Sequence, residues 1–462
     1  MNRRTLILGA AAFIALALAG AAYVISPMAR VAAAYKAKAL CSEIFLAGRD
    51  PVAVAAHELA GIDPAVDAAT ARIDEKKRRV NVSLFGLGPA RSSYREGYGC
   101  TIESGGAPAS LPAPREPVAA EPWQEAPPVP GLAIARVDYG AVEYALNEAI
   151  TDEKAGHRAF LLAVDGKIVA ERYAPGFDET TPFLSWSMAK SVTASLVGAA
   201  ALKGYVKIDE AAPVREWKGD AERAAITWND LLRMQSGLEF DETYGDPKSD
   251  VSEMLFRARE AGAVAARQPL IHAPGEHWSY SSGTTNLIMR TLREVLAEKG
   301  VDLYAFAREA LFKPIGAASF ILEPDSSGAP IGSSYIYATA RDWARLGELY
   351  LEGGAWNGER ILPEGWTDYA RAPTPASDGE YGAHFWLNRD GANGRKRFVP
   401  GLPDDVYYMA GHEGQYVFIV PDKSMVIVRL GQTRGAVPIE IAGPVAAQLY
   451  AAVGEPSGGG AP

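Results

Sequence analysis

Cysteine is almost absent from this 462-residue chain, which contains only Cys41 and Cys100. Neither belongs to a Cys-x-x-Cys pattern, so thioredoxin-type redox chemistry and thiolate zinc sites drop out. Histidine is equally sparse. The six present are scattered and form no His-x-x-x-His, so the reading is of a protein that uses no metal and no cofactor. A surplus of positive charge is missing too: 46 Lys and Arg against 56 Asp and Glu leave a formal charge of −10, which offers no footprint for nucleic acid. The one basic run, Lys76-Lys77-Arg78-Arg79, follows Asp74-Glu75 and reads as a solvated turn. Internal repeats are lacking. The hydrophobic share of 48% and charged share of 22% sit near the globular average, which excludes a mainly disordered or fibrous chain.

The N-terminus does carry one long uncharged run. Arg3 and Arg4 precede an Ala/Leu/Ile-rich stretch from Thr5 to Ser26. At ~1.5 Å per residue a helix of that length covers roughly 33 Å, close to the hydrocarbon thickness of a bilayer. Residues 1–27 therefore read as a signal-anchor transmembrane helix. The paired arginines keep the N-terminus in the cytoplasm and put the rest of the chain in the periplasm, anchored to the inner membrane. The Ala-Leu-Ala and Ala-Gly-Ala triplets between Ala15 and Ala21 leave open cleavage and release as a secreted protein. In that oxidising compartment Cys41 and Cys100 are able to pair, and a disulfide closing so long a loop stabilises by roughly 3–4 kcal/mol in the chain-entropy picture. The alternative is two buried free thiols.

Composition divides the remainder. Residues 28–103 read as a small helix-plus-sheet module, with a helical run through Cys41 to Leu46, a second helical stretch from Pro51, and strand-like alternation in Arg79–Phe85 and around Tyr94–Ile102. Residues 104–130 hold eight prolines and read as an extended linker. The region 131–453 reads as one catalytic domain, and 454–462 as a frayed tail. Inside the large domain, Val137–Ile150 has helical periodicity, and Phe160–Val164 and Ile168–Tyr173 form a hairpin about Asp165-Gly166. Three more β-rich runs, Val406–Ala410, Tyr416–Val420 and Met425–Leu430, precede a closing helix at Ile439–Val453. Strands from both ends of a domain with a helical middle predict an α/β (α+β) fold: an antiparallel sheet flanked by helices, with an inserted helical lobe.

Three short constellations carry chemistry. In Ser185-Trp186-Ser187-Met188-Ala189-Lys190, Ser187 and Lys190 are three apart, so a helix sets hydroxyl and amine on one face. Serine becomes a useful nucleophile when a neighbouring base takes its proton, and a buried lysine can serve. In Ser279-Tyr280-Ser281-Ser282 a tyrosine near a lysine can carry protons. In Gly411-His412-Glu413-Gly414-Gln415, Gly414 permits close backbone approach, so the Gln415 N–H can face an oxyanion. Taken singly, each also reads as ordinary structure: a helix start, a buried tyrosine and a turn.

The order Ser-x-x-Lys, Tyr-x-Ser, His-x-Gly resembles the penicillin-recognising serine hydrolases, which include class C β-lactamases, D-alanyl-D-alanine carboxypeptidases, esterases and 6-aminohexanoate-dimer hydrolases. Ile226-Thr227-Trp228-Asn229-Asp230-Leu231-Leu232 and Ala338-Thr339-Ala340-Arg341-Asp342-Trp343 look like the same superfamily, so the likeness covers about residues 131–453. It implies Ser187, Lys190 and Tyr280 as catalytic residues and the backbone N–H groups of Ser187 and Gln415 as the oxyanion hole. It also implies Ser282, His412, Gly414 and Tyr244 as substrate contacts; by residue type Trp186 and Trp386 can line the cleft as well, with core packing an equal reading for each. β-Lactamases usually carry asparagine where this chain has Ser282, so the motif is closest to the esterase and 6-aminohexanoate-dimer hydrolase branch. His412 stands where many members have lysine. The resemblance implies a hydrolase of amide or ester bonds in small acyl substrates through an acyl-enzyme on Ser187. The alternatives are a D-amino-acid peptidase or cell-wall carboxypeptidase, or a penicillin-binding-like sensor without turnover.

Overall fold

The computed structural model describes residues 25–113 and 122–456, with positions 13 and 20. The expected membrane segment falls almost wholly outside these residues, as does the tail beyond residue 456. Among the described residues no helix is long and apolar enough to cross a membrane. The described residues divide into two compact units: those within 1–112, 241–264 and 324–329 form one, and those within 113–240, 265–323 and 330–462 the other.

In the first unit a helix through residues 25–41 (α1) leads into short helical turns. A four-stranded antiparallel meander follows: β1 (Thr70–Asp74), β2 (Arg79–Leu84), β3 (Leu87–Arg95) and β4 (Gly99–Ile102). In β2, Val80, Val82 and Leu84 are buried while the residues between them are half-exposed, the alternation of a one-sided sheet. Cys41, at the end of α1, is disulfide-bonded to Cys100 on β4, with Cα atoms 6.0 Å apart. The two later stretches complete this unit. The Ser104 N–H donates to Ser326 Oγ at 2.9 Å and Ser326 Oγ donates to the Ile102 carbonyl at 2.8 Å. Arg259 Nη1 donates to the carbonyls of Gly105 and Ala107, and Phe256 packs on Tyr35 with ring centroids 5.8 Å apart.

The second unit is built on a six-stranded antiparallel sheet. After α2 (Tyr139–Thr151) come β5 (His157–Val164) and β6 (Lys167–Tyr173), then α3 (Ala189–Leu202), α4 (Ser282–Glu298) and α5 (Ala340–Leu351). The chain returns as β7 (Trp386–Leu387), β8 (Tyr407–Gly411), β9 (Gln415–Val420) and β10 (Met425–Gly431), and closes with α6 (Pro438–Ala451). The strand order is β7-β8-β9-β10-β5-β6, so the C-terminal strands pair with the N-terminal hairpin as the sequence pattern predicts. Asp165 and Gly166 both have positive φ, the conformation that a two-residue hairpin turn requires.

Both faces of this sheet are covered. Ala159, Leu161 and Ala163 of β5 join a core with Met188, Val192 and Leu196 of the α3 region and Trp343 and Leu346 of α5. Phe160, Leu162 and Val164 point the other way, into a core with Val142 and Leu146 of α2 and Leu449 of α6. Period-two alternation thus feeds two apolar layers, which is why β5 reads as continuously hydrophobic. A three-stranded patch of Phe183–Leu184, Ile336–Ala338 and Ile321–Leu322 leads the chain into the turn before α3.

Candidate active site

Ser187 lies on a single 3-10 turn, Trp186–Met188, that runs straight into α3. The residue before it, Trp186, has φ of 44°, a left-handed conformation that costs an L-residue about 1 kcal/mol or more. Surrounding contacts hold that bend. The Ser185 N–H donates to the Ile336 carbonyl at 2.8 Å, and the Trp186 ring meets His412 edge-on at 5.4 Å between centroids. A Cβ on Gly411, at the end of β8, would lie 2.2 Å from the Ser185 carbonyl, so only glycine lets the sheet edge come this close to the serine turn.

Lys190, one helical turn on, is 2% exposed. Its Nζ donates to Ser187 Oγ at 2.9 Å, to Ser282 Oγ at 2.9 Å and to the Ser333 carbonyl at 3.2 Å. All three are neutral oxygens. Ser282 opens α4 behind the N-cap Ser281, whose Oγ accepts from the Thr284 N–H at 3.0 Å. Asn286, on the next turn of α4, donates to Ser333 Oγ and accepts from the Ser333 N–H, which fixes the loop that supplies the third acceptor. Tyr280 presents its ring to the lysine, with Nζ 4.7 Å from the ring centroid. The ring itself is held by Trp386 at 5.5 Å and Tyr381 at 5.9 Å.

The turn joining β8 to β9 brings the third motif to the same place. Gln415 turns its side chain inward, where Nε2 donates to the His412 carbonyl at 3.1 Å and Oε1 accepts from the Gly431 N–H at 3.1 Å. Arg429 of β10, 1% exposed, braces this turn from behind. It donates to the carbonyls of Glu413, Gly414 and Ala155, to Thr433 Oγ1 and to His157 Nδ1, which uses all five of its N–H groups. Burial lowers its pKa to about 10. Burial, with the Arg429 charge beside it, also lowers the His157 pKa to about 3.

Beneath Lys190 lies His384, fully enclosed. Its Nδ1 is 2.6 Å from the Leu232 carbonyl and its Nε2 3.0 Å from Thr285 Oγ1, a pattern that suits the neutral Nδ1–H tautomer. Burial, reinforced by the Lys190 charge and opposed by the Leu232 bond, brings its pKa down to about 3. No group of three or more metal-ligating side chains occurs among the described residues.

The structure thus gathers Ser187, Lys190, Tyr280, Ser282, His412, Gly414, Gln415 and Trp386 in the second unit. Ser282 is wholly buried with its hydroxyl on Lys190. Tyr244 belongs to the first unit, where it is 45% exposed with its hydroxyl on Glu242 at 3.0 Å. Sequence reasoning missed Asn286, Ser333, His384 and Arg429. Only Arg429 left a signal, as a lone charge inside the apolar run of β10.

Residues 149–452 match the Beta-lactamase family. A 6-aminohexanoate-dimer hydrolase from Paenarthrobacter ureafaciens is 26% identical over 334 residues, which span 66% of this chain and 79% of that protein. Among solved structures, a Bacillus anthracis protein provisionally described as a 6-aminohexanoate-dimer hydrolase aligns with a TM-score of 0.57 and 22% identity, covering 72% of this chain and 87% of its own. A family VIII carboxylesterase aligns with a TM-score of 0.53 and 17% identity, covering 68% and 96%. These two solved structures share the fold.

Proposed function

Because the chain belongs to the beta-lactamase family, within the penicillin-recognising serine hydrolases, we propose that it cleaves amide or ester bonds of small acyl substrates through an acyl-enzyme on Ser187. The observation that carries this reading is the 2.9 Å contact between Lys190 Nζ and Ser187 Oγ, made by a lysine shielded from water. With Lys190 in its amine form, the Ser187 proton passes to Nζ as Oγ bonds to the substrate carbonyl carbon. The carbonyl oxygen takes the charge and accepts from the backbone N–H groups of Ser187 and Gln415. Collapse of this intermediate breaks the bond to the leaving amine or alcohol, which receives the proton through Lys190 and Tyr280. Water, deprotonated by Tyr280, then attacks the ester carbonyl on Ser187, the bond to Oγ breaks, the acid leaves, and the proton returns through Lys190 to Ser187 Oγ. Ser282 and the Ser333 carbonyl orient Nζ, and Arg429 acts through the Gly414 turn as a positioning residue.

The 6-aminohexanoate-dimer hydrolase likeness favours a linear amide or ester over a β-lactam as substrate. We place the catalytic part on the outer side of the inner membrane, a reading supported by Arg3 and Arg4 before an apolar stretch and by a disulfide suited to an oxidising compartment. A fluorophosphonate probe tests the mechanism. Wild type should be labelled on Ser187, with labelling abolished in Ser187→Ala and strongly slowed in Lys190→Ala at unchanged thermal stability. Equal labelling of wild type and Ser187→Ala would refute it.

A further inference from the structure

The strand register sets two ends of the large sheet apart. Gly431 of β10 lies opposite His157 beside the serine site, whereas Met425 lies opposite Val164 at the hairpin turn, about 23 Å along β5. At that far end is a cavity of about 380 Å³, walled by Trp123, Trp356, Gly166, Arg345, Glu348 and Glu352. Its volume falls in the range of small-molecule sites.

Glu348 is the anomaly in this cavity. It is 3% exposed, and neither carboxyl oxygen has a hydrogen-bond partner among the described residues. A Cβ on Gly166 would sit 3.5 Å from Oε1, so the carboxyl lies against the hairpin turn. An enclosed carboxyl without a donor is costly and rare, and a ligand that brings its own N–H groups removes the cost. Glu352 and Asp165 are the negative charges around it, and Arg136 and Arg345 the positive ones. Glu352 caps the C-terminal end of α5, and Asp165 stands on the hairpin turn, paired with Arg136 at 2.6 Å. Arg345 lies one turn back on α5, bonded to the Ile315 carbonyl at 2.9 Å and near Asp342 at 3.4 Å. Burial, then Glu352 and Asp165, push the Glu348 pKa up to about 8. Two indoles complete the walls, and the Trp123 N–H is already used on the Gly166 carbonyl at 2.8 Å. Indole faces attract organic cations, and the Trp123 face already carries the Arg345 guanidinium 5.3 Å from its centroid, so Trp356 is the indole for a ligand cation. A divalent metal is disfavoured, since no set of three or more metal-ligating side chains exists among the described residues.

We propose that this cavity binds a small primary ammonium compound, whose N–H groups donate to Glu348 and whose hydrocarbon part lies against Trp356. The site is separate from the serine centre and independent of its chemistry. Titration of the full chain with phenethylammonium chloride, read by calorimetry in buffers of different ionisation enthalpy, tests it. Wild type should bind saturably and release a proton at pH 7, as Glu348 ionises on contact with the cation. Glu348→Gln should weaken binding about tenfold or more and abolish the proton release, with fluorophosphonate labelling of Ser187 unchanged. Trp356→Leu should also weaken binding, and it serves if Glu348→Gln folds poorly. The proposal is overturned if wild type shows no saturable binding, if both variants bind like wild type, or if neutral 2-phenylethanol binds as tightly as the ammonium.

Discussion

At the scale of single residues, the orientation of Lys190 is the sensitive quantity. Ser282→Ala removes one of its oxygen acceptors without touching the Ser187 hydroxyl, so kcat for an ester substrate should fall about 10–100-fold while KM changes little. Ser282→Thr keeps an oxygen at that position and should recover much of the loss; failure of Thr to do better than Ala would show the hydroxyl to be a packing group. Because Ser282 is enclosed and engaged with the lysine, no side-chain amide stands there to grip a β-lactam. Nitrocefin turnover should therefore be at least about 100-fold slower than ester turnover, and efficient turnover would contradict this placement. The pair Ser187 and Lys190 was legible in the sequence because three-residue spacing on a helix is local geometry. Ser333 and Asn286 were not, since their meeting depends on a loop returning 47 residues later.

At the scale of elements, two contacts decide how the sheet is held. A Cβ on Gly347 of α5 would lie 2.8 Å from methyl carbons of Val417 and Val426, so Gly347→Ala should destabilise the protein by about 1–3 kcal/mol, read by denaturant melts. Arg429 ties β10 to the Gly414 turn and to the segment before β5. Arg429→Met removes the Arg429 donor from the Gly414 carbonyl, while the Glu413 and Ala155 carbonyls keep the Thr433 N–H and Thr433 Oγ1. A loss of about 2–4 kcal/mol is expected, together with slower labelling of Ser187. Labelling at the wild-type rate would separate the turn from the chemistry. The long strands and the end helices were legible, since β5, β6, β8, β9 and β10 are β-rich apolar runs separated by turn residues, and α2 has helical periodicity. The two-residue strands, such as β7, are too short to have a period, and tertiary pairing alone defines them.

At the scale of the whole molecule, buried titratable groups set the pH dependence of stability. His157 and His384 have folded pKa values near 3 against an ordinary 6.5. The unfolded chain therefore takes up protons first, and stability is lost as pH falls from 6.5 towards 3, by up to about 1.4 kcal/mol per pH unit for each histidine. Glu348 acts with the opposite sign. Its folded pKa near 8 lies above the ordinary 4.5, so its contribution is present below pH 4.5 and is lost as pH rises towards 8. Summed over these three groups, the maximum falls near pH 6.5. Glu348→Gln should flatten the alkaline side, which urea unfolding across a pH series would read; an unchanged alkaline slope would dismiss the burial argument.

The composition of the first unit also constrains the order in which the protein is made. Residues 104–109 depend on Arg259 and on Ser326, which leave the ribosome well over a hundred residues later. At about 5–20 residues per second, the wait from residue 112 to residue 329 is roughly 10–40 s. During that interval the newborn N-terminal segment has its two sulfurs available to join but lacks the clasp that covers its far edge. A truncated chain ending near residue 130 would remain permanently in that unfinished condition.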